Sequence, residues 1–137
     1  MTSLAEVRTE LASVLGTIDG WTVFDGYVGD SVPHPYSFKV ARPAFDPRTV
    51  FGESKRFQTF AVTAYAPRQT PATSEARLDE LCDMSGPKSL IEAVQDGTRW
   101  ELTVDYAQVT RCGEVQVITW IDGVEFLACQ FQIEVVW

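Results

Sequence analysis

Residues 124–137, VEFLACQFQIEVVW, decide how the rest of the chain is read. Leu127, Cys129, Phe131, Ile133, Val135 and Trp137 recur at every second position with Gln130, Gln132 and Glu134 between them, the period of a strand that buries one face. Asp122-Gly123 lies just upstream between two β-rich runs, so the spacing predicts a two-residue turn with positive φ at both positions. The result is a hairpin from Cys112 or Glu114 to Trp137. With Ile121 opposite Val124, Ile118 faces Leu127 and Trp120 faces Glu125 on one side, while Val117 faces Ala128 and Val115 faces Gln130 on the other. A sheet covered on one face by its own helices does not need Val115, Val117, Ile121, Val124 and Phe126 on the opposite face. That surplus suggests either a second burial partner or a sheet curled back on itself within one subunit.

A chain of 137 residues supports one domain, 1–137, burying roughly two-thirds of its unfolded surface. Hydrophobic content of 45% with 12% aromatic residues fits a folded protein. The 19 acidic against 11 basic residues give a net charge of −8 and argue against gripping nucleic acid, which needs clustered Lys and Arg. DNA passing nearby without being held remains compatible with that charge. Cys82, Cys112 and Cys129 form no Cys-x-x-Cys pair, so they are expected to be buried thiols made in a reducing compartment, with no zinc or redox motif. In the hairpin register above, Cys129 lies opposite Gln116 and Cys112 opposite Ile133, which disfavours a cross-strand disulfide. No signal peptide is evident and no apolar run reaches the ~20 residues that span a bilayer. The expectation is a soluble protein made in a cytoplasm, without a membrane partner.

From the start, Ser3 and Glu6 form a capping box. Leu4, Val7, Leu11, Val14 and Leu15 give the following helix one apolar stripe, and Gly16 is placed to end it in a left-handed conformation. Trp21 to Phe24 reads as a short strand, and Asp25 to Pro35 as a loop with Gly26, Gly29 and the extended Pro33-His34-Pro35 unit. Tyr36 to Ala41 is a second strand with Phe38 and Val40 on one face and Lys39 on the other. Arg42 to Lys55 is a long loop carrying Phe45, Val50 and Phe51. Its aromatics, with Arg48 and Arg56 nearby, read as interface anchors or as residues tucked back onto the domain. Phe57 to Tyr65 is the third strand, with Phe60, Val62 and Ala64 against Gln58, Thr59, Thr63 and Tyr65. Pro67 to Pro71 breaks it, and Thr73 or Ser74 caps a helix to about Asp83. Ser85-Gly86-Pro87 interrupts that helix, and Ser89 to Gln95 continues as a second short one. Trp100, Leu102, Val104 and Tyr106 alternate in a fourth strand before the hairpin. The predicted order is α-β-β-(long loop)-β-α-β-β-β.

The sequence holds no Gly-x-Ser-x-Gly elbow, no phosphate-cradling glycine loop and no cysteine with an evident histidine partner. His34, the one histidine, reads as an exposed loop residue. Asp79, Glu80 and Asp83 fall on the solvent side of the Leu78, Leu81, Cys82 stripe, and Asp25 and Asp30 lack the ligand spacing of a calcium loop. No catalytic, metal or cofactor-binding residue is assigned, and the expectation is that the protein is not an enzyme.

The pattern over nearly the full chain resembles the tail terminator proteins of long-tailed bacteriophages. The resemblance is carried by Leu4 to Leu15, Ile18-Asp19-Gly20 leading into Trp21 to Phe24, Pro33 to Val40, Phe45-Asp46-Pro47, and Phe57 to Tyr65. Leu78-Asp79-Glu80-Leu81, then Ser85-Gly86 and Ser89 to Val94 before a final hairpin, is its most telling part. The resemblance implies an α+β fold, a mixed or antiparallel sheet with helices packed on one face. It also implies a homohexameric ring in the virion that caps the head-proximal end of the tail tube. Its partners would be copies of itself, the major tail tube protein and the head-tail connector or stopper protein, with genomic DNA passing through the lumen. The candidate tube or subunit interface is Phe45, Arg48, Phe51 and Arg56 with Val115, Val117, Val124 and Phe126. The other readings are another phage neck component (a head-closure or tail-completion protein), a ferredoxin-like ligand-binding domain, or a small enzyme with a cryptic acidic site.

Overall fold

A computed structural model describes residues 3–23, 36–41, 50–51, 55–101, 104–119 and 123–137. Among these, the elements in chain order are α1 (Leu4–Leu15), β1 (Thr22–Val23), β2 (Ser37–Ala41), β3 (Val50–Phe51), β4 (Lys55–Pro67), α2 (Pro71–Leu81), α3 (Leu90–Gln95), β5 (Tyr106–Cys112), β6 (Gln116–Thr119) and β7 (Glu125–Val136). The fold is α+β, three helices on a mixed sheet. β1 runs parallel to β2, and the pairs β2–β4, β4–β7, β5–β7 and β6–β7 are antiparallel. β3 forms a separate small ribbon with the start of β4.

The capping box forms as its spacing requires: the Glu6 amide donates to Ser3 Oγ at 3.2 Å and the Ser3 amide to Glu6 Oε2 at 2.8 Å. Val7, Leu11, Val14 and Leu15 are fully buried, so the predicted stripe is the buried face of α1. Gly16 is a correction: it stays right-handed at φ −65°, and its amide continues the helix by donating to Ala12 O, while Gly20 takes the left-handed turn at φ +82°. The second helix also starts earlier than expected. Pro71 occupies its first turn, where a missing N–H costs no helical bond, and Ser74 turns its hydroxyl onto the Pro67 carbonyl at 2.5 Å instead of capping. The Ser85-Gly86 break is tied to α3 at both ends. Ser89 accepts from the Glu92 amide at 3.1 Å, and Glu92 Oε2 accepts from the Gly86 amide at 2.9 Å.

One core joins all three helices to one side of the sheet. Leu78, Leu81, Leu90 and Val94 from α2 and α3 meet Phe38, Phe60, Val62, Ala64 and the inner residues of β7. Leu127, Cys129, Phe131, Ile133, Val135 and Trp137 are all buried there, as their alternation predicts. β7 lies between β4 on one side and β5 and β6 on the other, so the stretch that set the reading is the sheet's central strand. Gln58 departs from expectation: its Cα partner is Val135 and it is 1% exposed, on the core face instead of with Thr59 and Thr63.

The fourth strand begins at Tyr106, not Trp100. Asp96 caps a 3₁₀ turn over Gly97–Arg99, and Trp100 turns into the core with its indole N–H donating to Val94 O at 3.0 Å. The Glu101 amide is then held by Glu10 Oε1 at 2.6 Å, so this stretch is bonded to α1 and not to a strand. Leu102 lies outside the described residues. The hairpin register also differs. Gln116 pairs with Ala128, Val117 with Leu127, Ile118 with Phe126 and Thr119 with Glu125, one residue away from the predicted pairing. An odd number of residues therefore separates the last paired positions, Thr119 and Glu125, and Gly123 supplies positive φ (+85°) near the end of the connection. Trp120, Ile121 and Asp122 lie outside the described residues.

Two further shifts lie along the same ribbon. β5 pairs with β7 as Val109 with Ile133 but Arg111 with Gln132, so Thr110 is extra, and its hydroxyl donates to Gln132 O at 3.3 Å. A second extra residue falls between Cys112, opposite Phe131, and Gln116, opposite Ala128. Gly113 sits at that point because a Cβ there would stand 2.8 Å from Gln130 O. Cys112 is therefore not opposite Ile133, nor Cys129 opposite Gln116. Cys82 and Cys112 are exposed and only Cys129 is buried, which corrects the expectation of three buried thiols.

Candidate interaction surface

The sheet face away from the helices has a small apolar centre of its own. Tyr65, Phe126 and Ala128 are buried in it, and Ile118 and Val124 pack against them. Tyr65 and Ala128 are cross-strand partners, as are Ile118 and Phe126, and the Tyr65 and Phe126 rings meet edge to face at 6.2 Å and 76°. Burial pushes the Tyr65 hydroxyl above its ordinary pKa, partly offset by a hydrogen bond with Thr63. Beside this cluster runs an open groove of about 350 Å³ lined by Tyr65, Ile118 and Ala128 together with polar residues that include Arg111, Glu114 and Gln130. Farther along the same face Val136 is buried opposite Tyr106, among polar pairs. Tyr106 hydrogen-bonds Glu134, which raises the tyrosine pKa, and Arg68 pairs with Glu125 at 3.2 Å.

Of the hairpin residues singled out by sequence, two come together and two do not. Phe126 (3% exposed) and the half-buried Val124 belong to the apolar centre just described. Val117, opposite Leu127, shares the helix-bearing side of the sheet yet is 48% exposed. Val115 is also exposed, between β5 and β6. The one-residue register difference separates them, since alternation sends a slipped strand's side chains to the other face. Both valines accompany β6, which pairs with β7 on one edge and with no strand on its other edge among the described residues.

Phe45 and Arg48 lie outside the described residues, as do Phe24, the Asp25 to Pro35 loop with Asp30 and His34, and Asp46-Pro47. Phe51 and Arg56 fall in the β3–β4 ribbon, where Phe51 pairs with Lys55 and Val50 with Arg56. Sequence reasoning placed Tyr65 on the correct side of its strand and the glutamines of β7 opposite the core. Their convergence with Arg111 and Glu114 depends on the two register shifts, which leave no composition signal.

Asp79 and Asp83 are exposed, and Glu80 pairs with Lys88 at 3.5 Å, as befits a solvated helix face. Among the described residues no group of three or more His, Cys, Asp or Glu is arranged to hold a metal ion, and no helix is long and apolar enough to cross a membrane. No protein-family model matches the chain, and no curated protein matches it significantly.

Proposed function

We propose that this protein is a non-enzymatic virion assembly component, a tail terminator of a long-tailed bacteriophage. In this reading it is made in the host cytoplasm and closes into a homohexameric ring on the head-proximal end of the tail tube. The ring stops tube polymerisation and joins the tail to the head-tail connector, and genomic DNA crosses the lumen without specific binding. The observation that carries this reading is the β6 flank: Val115 at 39% and Val117 at 48% exposure, beside a strand edge with no partner strand among the described residues. Exposed apolar side chains at an unpaired edge are material for another chain. A ring requires head-to-tail contacts whose rotation closes, with roughly 800 Å² buried per partner. The net charge of −8 suits a channel along which DNA slides, because like charge keeps phosphates from being held.

Native mass spectrometry, alone and with tube protein, tests the reading. A species of six, or a monomer that assembles only on tubes and halts their growth, supports it. A monomer or dimer that leaves tube growth unchanged refutes it. The groove over Tyr65 and Ile118 favours a second reading, a small-molecule-binding α+β domain. A metabolite that raises the melting temperature of a persistent monomer would select that one.

A further inference from the structure

The two register shifts decide which side chains face away from the helices, and both bear on the groove beside Tyr65. Had β5 kept its first register, Arg111 would lie opposite Phe131, a core residue; the extra residue at Thr110 sets it opposite Gln132 instead. At the second shift the Gly113 amide donates to Gln130 O at 2.8 Å, and Gln116 comes opposite Ala128 and Ile118 opposite Phe126. Bulges that re-aim side chains in this way are over-represented beside functional sites. Arg111, Glu114 and Ile118 thereby line one groove with Tyr65, Ala128 and Gln130.

Arg111 and Glu114 are exposed, and among the described residues neither has an ion-pair or hydrogen-bond partner, not even the other. Opposite charges that line one groove without meeting leave a place for a molecule that carries both. From this juxtaposition we propose that the groove binds a free α-amino acid with a large apolar side chain. The planar guanidinium of Arg111 donates to the ligand carboxylate, Glu114 accepts from its ammonium group, and Tyr65, Ile118 and Ala128 take the apolar side chain. The groove's volume of about 350 Å³ lies at the small end of the range for small-molecule sites. A phosphate ester fits less well, because Glu114 repels it and no helix N-terminus is among the lining residues. A fatty acid leaves Glu114 unmatched. The proposal rests on the reading of this groove as a small-molecule site and is independent of the ring.

The test titrates the full chain with L-phenylalanine, with hydrocinnamate, which lacks the ammonium group, and with phenethylamine, which lacks the carboxylate. Calorimetry gives the affinity and amide NMR shifts give the place. Phenylalanine is expected to bind at least about tenfold more tightly than either analogue, the measure of one lost charge-assisted contact, and to shift the amides of Gly113, Ala128 and Gln130. Arg111→Gln and Glu114→Gln are each expected to weaken it by about the same factor with an unchanged circular dichroism spectrum, since both residues are exposed. An analogue that binds in the groove as tightly as phenylalanine refutes the amino-acid assignment and leaves the small-molecule reading standing. No shift at the groove with any of the three probes refutes both. Unchanged phenylalanine affinity in either variant, or shifts confined to another part of the chain, would also overturn the proposal.

Discussion

Replacing Phe126 with Ala and, separately, Val117 with Asp should separate folding from assembly. Phe126 is 3% exposed and packs on Tyr65, Ile118, Val124 and Ala128. Truncation to Ala returns about 100 Å² of apolar contact to water at ~25 cal/mol per Å², or about 2.5 kcal/mol. Loss of the edge-to-face pair with Tyr65 adds ~0.5–1 kcal/mol. The cluster borders an open groove, so water can enter the gap, and the total belongs near the low end of Phe→Ala costs, about 3 kcal/mol. With a urea m-value of about 1.5 kcal/mol/M, the midpoint should fall by about 2 M. Val117, half in solvent already, should cost the subunit no more than ~0.5 kcal/mol as Asp, yet remove the proposed rings from native mass spectra. Paired urea titrations followed by circular dichroism are the assay. A midpoint shift below about 0.5 M for Phe126→Ala would refute the claim that the outer cluster stabilises the subunit. An equal shift for both variants would refute the distinction between a folding residue and an assembly residue.

Gly113→Ala should cost about 2 kcal/mol or more in the same titration, because its Cβ would stand 2.8 Å from the Gln130 carbonyl oxygen and the backbone must move. Ser3→Ala removes the acceptor of the Glu6 amide and should lower stability by about 1 kcal/mol, with increased amide exchange confined to the first turn of α1. The Asp96 carboxyl is held below its ordinary pKa, first by the Thr98 hydroxyl and then by the Thr98 amide. Its contribution is therefore complete above the unfolded value and lost as pH falls through the lower folded midpoint. Thr98→Ala should move that midpoint back up in a carboxyl NMR titration, though not the whole way, since the amide bond remains.

The parts of the fold that were legible are those fixed by local chemistry. The capping box at Ser3 and Glu6, the α1 stripe and the buried face of β7 each depend on residues a few positions apart, and each stands where its spacing placed it. What was not legible depends on distant partners. Asp122-Gly123 has the composition of a two-residue turn, but the pairing across it shows an odd connection, and that single step moved Val117 to the other side of the sheet. The extra residue at Thr110 is compensated by an ordinary threonine hydroxyl, which no pattern announces. Trp100 alternates with its neighbours as a strand residue would, but it was taken by the Val94 carbonyl and the core.

The position of β7 has a consequence for synthesis. Among the described residues β5 and β6 join the sheet only through β7, and β4 finds there its longest partner, about 70 positions along the chain, as Phe60 with Ile133 shows. A nascent chain that has emerged only as far as residue 124 therefore has helices with only part of their floor to rest on, and its grease faces the solvent. Such distant pairing makes for slow folding and a sticky interval before completion. Chaperone demand during translation should accordingly peak just before this strand clears the ribosome.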